Sequence, residues 1–297
     1  MSPQDITITD HVVPLAARDH GGDGPAVVLL HGLGGTLEAW DALAPLLARR
    51  HRVVAVDLRG HGLSGDAPWE WDAVLDDLDA VVERFRLDRP AIVGHSLGGM
   101  LAVMWARRHP GCPAIVNLDG LRSAENDPGN YPGMARDALG TALDRLKATF
   151  DAQAAAMGLP VPAEQVPMLP RRALTTRDGH SYLRPGPEIL AALRYTPEFR
   201  DTIPLLRTVT CPALVVLADR DPAGMDGGEL MVAFRRGVRR DLRDLPGTVH
   251  VTELAASHNM VAERPGDLAD LIVRFLASGE KPQAEPARGP AAAGSQV

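Results

Sequence analysis

Five short, continuous apolar runs constrain this chain more than any other feature: Ala26–Leu30 (AVVLL), Val53–Val56 (VVAV), Ala91–Val93 (AIV), Ala114–Leu118 (AIVNL) and Ala213–Leu217 (ALVVL). A strand with one wet face alternates apolar and polar residues. An unbroken run suits a strand covered on both faces, as in a parallel sheet. Between the early runs lie segments of helical spacing, Trp40 to Leu47 and Trp71 to Phe85. In the second, Val74, Leu75, Leu78, Val81, Val82 and Phe85 share one face. Strand and helix in alternation predict an α/β fold with a mostly parallel, doubly wound sheet. Ile6–Thr9 and Val12–Ala16 read as an antiparallel hairpin at its edge.

The alternation stops after Leu118 and resumes only at Ala213, too long an interval for a simple crossover. It holds helix-like pieces from Met134 to Met157 and from Glu188 to Phe199, with a proline-rich stretch between. The expected organisation is a core over 1–120, an inserted helical cap over 121–208, and a second part of the core over 209–277. That second part carries a helix from Glu229 to Leu242, a strand from Val249 to Leu254 and a closing helix from Asp267 to Leu276. From Ser278 no large apolar residue precedes the last valine, so 278–297 reads as a disordered tail.

The net charge of −7 argues against nucleic acid or an anionic membrane surface as partner, since either favours a basic face. No run of about 18 apolar residues spans a membrane, and the N-terminus lacks the basic start and apolar stretch of a signal peptide. A cytoplasmic protein acting on a small molecule is expected, with oligomeric state open. Cys112 and Cys211 form no CxxC or zinc pattern and read as small buried hydrophobes in a reducing compartment.

The chemistry concentrates at the ends of the apolar runs. Gly94-His95-Ser96-Leu97-Gly98 matches G-x-S-x-G. By itself the motif is weak, but here it follows the AIV strand and opens a helix, Leu97 to Arg108. That strand–turn–helix setting is what exposes the serine, and the helix N-terminus favours developing negative charge. His31-Gly32-Leu33-Gly34-Gly35, after AVVLL, can aim a backbone N–H into the same crevice. The N–H groups of Leu33 and Leu97 are the oxyanion-hole candidates. His31 itself reads as structural. Asp57 to Gly65 lacks the Lys-Ser/Thr of a phosphate loop and reads as a loop bordering the site. A serine nucleophile needs a histidine base, and His258, between the Val249–Leu254 strand and the closing helix, has the right setting. For the acid that orients it, Asp219 and Asp221 follow the ALVVL strand, and Asp119, ending AIVNL, competes.

Taken in order, HGLGG, DLRGHGLSG, GHSLGGM, ADRDP and SHNMVAERP resemble the α/β-hydrolase superfamily, nearest its capped serine ester hydrolases, cofactor-free haloperoxidase-like esterases and carbon–carbon bond hydrolases. The resemblance covers about 5–120 and 209–277. It implies an α/β-hydrolase fold and a Ser96–His258–Asp221 triad, with Asp221 the second carboxylate of the ADRD-type turn. It also implies acyl transfer without metal or organic cofactor. Serine in place of aspartate as nucleophile separates the chain from epoxide hydrolases and dehalogenases. Cleavage of an ester, lactone or thioester is the leading expectation. Biosynthetic acyl transfer or cyclisation, carbon–carbon hydrolysis and a non-catalytic receptor on the same fold are the alternatives. In the cap, Tyr131, Met134, Tyr182 and Tyr195, with Phe150 and Met157, are candidates to line an apolar pocket. The run Arg171, Arg172, Arg177, His180 and Arg184 reads as a solvated face rather than a site for an acidic substrate.

Overall fold

A computed structural model describes residues 2–221 and 228–278. Ten strands are present among them: β1 (Gln4–Ile8), β2 (Leu15–Gly21), β3 (Ala26–Leu30), β4 (Arg52–Val56), β5 (Ala91–His95), β6 (Ile115–Leu118), β7 (Leu174–Arg177), β8 (His180–Leu183), β9 (Ala213–Ala218) and β10 (Val249–Leu254). The helices are α1 (Ala44–Leu47), α2 (Trp71–Arg84), α3 (Leu97–Arg108), α4 (Arg136–Met157), α5 (Pro187–Leu193), α6 (Pro197–Arg200), α7 (Ile203–Leu206), α8 (Gly228–Asp241), α9 (Met260–Glu263) and α10 (Pro265–Ser278). None of them is long and apolar enough to cross a membrane. Of the tail expected from Ser278, only Ser278 itself lies within the described residues, where it ends α10.

The main sheet has eight strands in the order β1-β2-β4-β3-β5-β6-β9-β10. The β1–β2 and β2–β4 pairs are antiparallel and the rest parallel. Side chains alternate across a strand, so each apolar run feeds two cores. Val28 and Leu30 of β3 join α2 and α3 on one face. Val27 and Leu29 join Trp40, Leu43, Leu47 and Ile272 and Phe275 of α10 on the other. Every residue of β3 and β9 is buried. Residues 97–106 of α3 are all buried as well, which explains why that helix is apolar all round rather than amphipathic. Cys112 and Cys211 are free, buried thiols in the first of these cores.

Several local expectations shift for steric reasons. The second hairpin strand starts at Leu15 rather than Val12, because Pro14 has no N–H for the ladder and Val12 is exposed. Trp40–Leu47 is a single-turn 3-10 helix, Leu37–Trp40, and then the short α1. The piece from Glu188 to Phe199 is broken at Pro197 into α5 and α6, since a residue before proline is pushed out of the helical region.

Between β6 and β9 the chain contributes no strand to the main sheet. It carries instead a separate β7–β8 hairpin, turned by Asp178-Gly179 with φ of 49° and 76°. Two arginines beside this hairpin, read as solvated in the sequence, are tied into the core loop that follows β4. Arg172 donates to the fully buried Asp57 at 2.6 Å. Arg184 donates to the carbonyls of Gly62 and Ser64, each at 2.7 Å. Asp57 also accepts the Leu37 and Leu63 amides, so one carboxylate joins three segments. Removing one partner of a buried ion pair leaves an uncompensated charge. Arg172→Leu is therefore expected to lower the unfolding free energy by about 3 kcal/mol in urea titration. The same change at the exposed Arg171 should shift it by no more than about 0.5 kcal/mol.

Candidate active site

Parallel strands deliver their C-terminal ends to one edge of the sheet, and β3 is where the strand order reverses. From it the order runs to β4 on one side and β5 on the other. Crevices form at such points. Ser96 stands there, after β5, with φ 53° and ψ −118°. A non-glycine residue holds such a conformation only when its surroundings over-determine it. The Ser96 amide donates to Leu118 O at 2.9 Å, and its carbonyl receives the amides of Gly99 and Met100 as α3 begins. Gly98 has to be glycine, since a Cβ there would lie 2.1 Å from the Leu30 carbonyl oxygen.

The turn after β6 packs onto the same backbone. A Cβ on Gly120 would lie 2.0 Å from Ser96 O. Asn117 braces the turn from inside the strand, its side chain donating to Gly99 O and Gly120 O at 2.9 Å each and accepting the Gly120 amide at 2.8 Å. Asp119 is thereby held in a left-handed conformation, φ 53°. Its amide donates to Val216 O of β9 at 2.9 Å. One carboxylate oxygen accepts the Ala218 amide at 3.2 Å, and the other accepts Nδ1–H of His258 at 2.7 Å.

The carboxylate that meets His258 is thus Asp119, not Asp221. Asp221 lies beyond the end of β9, and its carboxylate is engaged by Arg235 of α8. The extra residues after the strand carry it toward that helix rather than toward the histidine loop. Asp219 lies beside Arg220, at 3.6 Å.

Burial opposes charge on the His258 ring, but the Asp119 hydrogen bond and charge together outweigh it, and its pKa is raised above 6.5. His95, the first variable residue of G-x-S-x-G, points back at this loop. Its Nε2 lies 2.7 Å from the His258 carbonyl oxygen, and its ring centroid is 4.8 Å from the His258 ring. Burial, then the neighbouring His258, holds its pKa down at about 4, so the ring is a neutral N–H donor to that carbonyl. His31 is fully buried, with Nδ1 at 2.8 Å from Gly32 O and Nε2 accepting the Leu58 amide at 3.1 Å, a structural brace for the Gly32-Leu33 turn.

Ser96, Asp119, His258 and Leu33 all line one cavity of about 360 Å³. Leu97 is the first residue of α3, where the backbone N–H has no partner within the helix. Most of the cavity wall is apolar, with Met100, Leu121, Phe150, Phe199 and Leu217 from the core and from the segment between β6 and β9. Met231, Phe234 and Val238 of α8 close it.

Of the expected pocket residues, Tyr131, Met134, Tyr182 and Tyr195 are absent from this lining, whereas Phe150 is present. Tyr131 is buried against Phe234 and Leu139 in a small separate cluster, with Met134 packed on it. Tyr182 sits under Arg177 on β8, and Tyr195 is 63% exposed. Periodicity finds apolar side chains but not the face they turn to the site. The α8 wall was missed because its apolar residues fit a helix packed on the sheet equally well.

The family profile described as the alpha/beta hydrolase family matches residues 27–271. The chain belongs to the alpha/beta hydrolase family. Among curated relatives, the chain is 37% identical to an uncharacterized protein of Mycobacterium tuberculosis over 91 residues, 30% of the chain and 27% of that protein. It is 42% identical over 116 residues to the pimeloyl-[acyl-carrier protein] methyl ester esterase of Methylococcus capsulatus, covering 38% and 43% of the two chains. The chain thus aligns with well under two thirds of either relative. Among solved structures, E-2-(acetamidomethylene)succinate hydrolase superposes with a TM-score of 0.63 at 22% identity, over 93% of this chain and all of that one. At that identity the likeness is one of fold.

The pairing of Asp119 with His258 has a direct readout. Nuclear magnetic resonance titration of His258 should show an imidazole that stays charged to a pH above 6.5. Asp119→Asn should move that titration down, because the partner that favours the charged ring is gone. Asp221→Asn should leave it in place.

Proposed function

We propose that this hydrolase cleaves an ester-type bond (ester, lactone or thioester) of a small organic substrate through an acyl-enzyme on Ser96, with His258 as base and Asp119 as the acid that orients it. The hydrogen bond from His258 to Asp119, in the cavity that Ser96 lines, carries this reading. The similarity to a relative named a methyl ester esterase agrees with it.

In the first step the Ser96 oxygen bonds to the substrate carbonyl carbon while its proton passes to His258 Nε2. The carbonyl π pair moves to oxygen, facing the N–H groups of Leu33 and Leu97. The intermediate then collapses, the leaving group departs, and the imidazolium returns the proton to it. Water repeats the sequence on the acyl-enzyme, giving the carboxylic acid and free Ser96. Asp119 fixes the tautomer with Nδ1–H toward itself and Nε2 free to accept, and it stabilises the imidazolium without taking the proton. The Ser96 backbone places its side chain at the start of α3, where charge on the oxyanion is favoured.

Ser96→Ala should abolish labelling by a fluorophosphonate probe and turnover of activated esters while the melting temperature stays near that of the wild type. Retained covalent labelling of the variant would remove Ser96 from the role. Since the base works only when neutral, kcat/KM should rise with pH through a pKa above 6.5. Asp119→Asn should lower the rate by up to about 10⁴-fold and shift that limb to lower pH, whereas Asp221→Asn should cost far less. The opposite ranking of the two variants would return the acid to the turn after β9.

A further inference from the structure

His258 is held at both its ring and its backbone. Nδ1 donates to Asp119, while the backbone carbonyl accepts from Nε2 of His95 at 2.7 Å. That carbonyl stands outside the ladder of α9, whose first acceptor is the carbonyl of Asn259, bonded to the amides of Ala262 and Glu263. The peptide that follows His258 therefore takes its hold from His95. The residue before it is tied down separately, the Ser257 amide donating to the Glu263 carboxylate at 2.9 Å.

The donor is rigid because its backbone is. His95 ends β5, paired with Leu118 of β6, and the next amide, that of Ser96, donates to Leu118 O at 2.9 Å. The His95 ring stands between two parts of the site. Nε2 reaches the His258 loop, and Nδ1 faces the Gly32-Leu33 turn, where a Cβ on Gly32 would lie 3.4 Å from Nδ1 and 3.0 Å from Ser96 Cβ. A carbonyl oxygen can only accept, so Nε2 has to carry a proton. With the ring neutral, this donor stands beside His258 without adding a positive charge that would oppose an imidazolium there.

We propose that His95 is a positioning residue: its Nε2–H, held one residue from Ser96, fixes the His258 peptide so that the imidazole stays turned to both Asp119 and Ser96. This rests on the hydrolase reading above and adds a residue to it. A ring bonded only through Nδ1 can pivot about that bond, and its Nε2 then swings away from the serine oxygen. A second hold on the same residue removes that freedom. Because the hold comes from the chain neighbour of Ser96, the two reacting side chains keep one frame. Reaction depends on such alignment, and a misplacement of about 1 Å costs up to about a hundredfold in rate.

The test uses two variants and an activated ester, p-nitrophenyl butyrate. His95→Phe keeps a ring and removes the donor, whereas His95→Gln returns an N–H near the place of Nε2. His95→Phe should lower kcat about ten- to a hundredfold. KM should change by no more than about twofold, since the same base serves acylation and deacylation. His95→Gln should recover most of the loss, a rescue that a space-filling role would not show. Fluorophosphonate labelling of Ser96 should slow in His95→Phe and recover in His95→Gln in the same proportion. A kcat in His95→Phe within about twofold of wild type, a loss confined to KM, or a His95→Gln variant no better than His95→Phe would overturn the proposal.

Nitrogen-15 magnetic resonance of the wild-type protein decides the matter if the variants do not fold. A neutral His95 ring with its proton on Nε2 is expected, and a proton on Nδ1 instead overturns the proposal. Labelling also separates the two failures. Absence of labelling in the wild type counts against the hydrolase reading, and equal labelling rates in wild type and His95→Phe count against the positioning role alone.

Discussion

The hydrogen bond between His258 and Asp119 ties together structure contributed by three strands, and the rest of the site is arranged around it. Asp119 ends β6 and His258 follows β10, while β9 lies between them in the sheet. Asp119 reaches across that strand because its backbone turns left-handed and its second oxygen is satisfied by the Ala218 amide at the end of β9. The turn holds this shape because Asn117 bonds it from below and Gly120 lets it settle on the Ser96 carbonyl. The elbow at Ser96 and the acid turn are thus one packed unit.

The segment between β6 and β9 is held by apolar packing and by charge together, with Ile189, Leu193, Phe199, Ile203 and Leu206 in the core that also holds α2 and α3. Arg172 and Arg184 bind the loop after β4, and Arg122 binds Asp201 and Asp241. Arg194 joins Glu125 to Asp151 and lies 5.7 Å from the ring of Phe150, which lines the cavity. Buried ion pairs contribute little net stability but tolerate few alternative arrangements. They therefore suit a part of the chain that has to present particular side chains to a cavity. In the long helix α4 only Leu139 of its 22 residues is buried, so apolar packing alone fixes it weakly.

Much of the fold was legible in the sequence because its signals are local. Strands covered on both faces write themselves as unbroken apolar runs, and the five runs coincide with β3, β4, β5, β6 and β9 within a residue or two. The turn at Ser96 was legible because its glycines sit between a strand and a helix, and the helix expected at Leu97–Arg108 is α3. The β7–β8 hairpin carried a local signal too, Asp-Gly between short runs, but was masked by the surrounding arginines.

What the sequence determined by itself was the alternation of elements, the place of the serine turn and the histidine loop at strand ends, and membership of a hydrolase family. The tertiary structure alone decided which of three aspartates meets His258. That depends on strand order and on the direction in which each turn leaves its strand, and residue spacing encodes neither. Tertiary structure also decided which apolar side chains line the cavity. Phe150, Phe234 and Tyr131 are alike in a helical or loop pattern, yet only the first two line the cavity, because that outcome is set by neighbours far away along the chain. Charge behaves likewise. Arg172 reads as part of a solvated face, and only packing shows that it is buried, as Arg122 is.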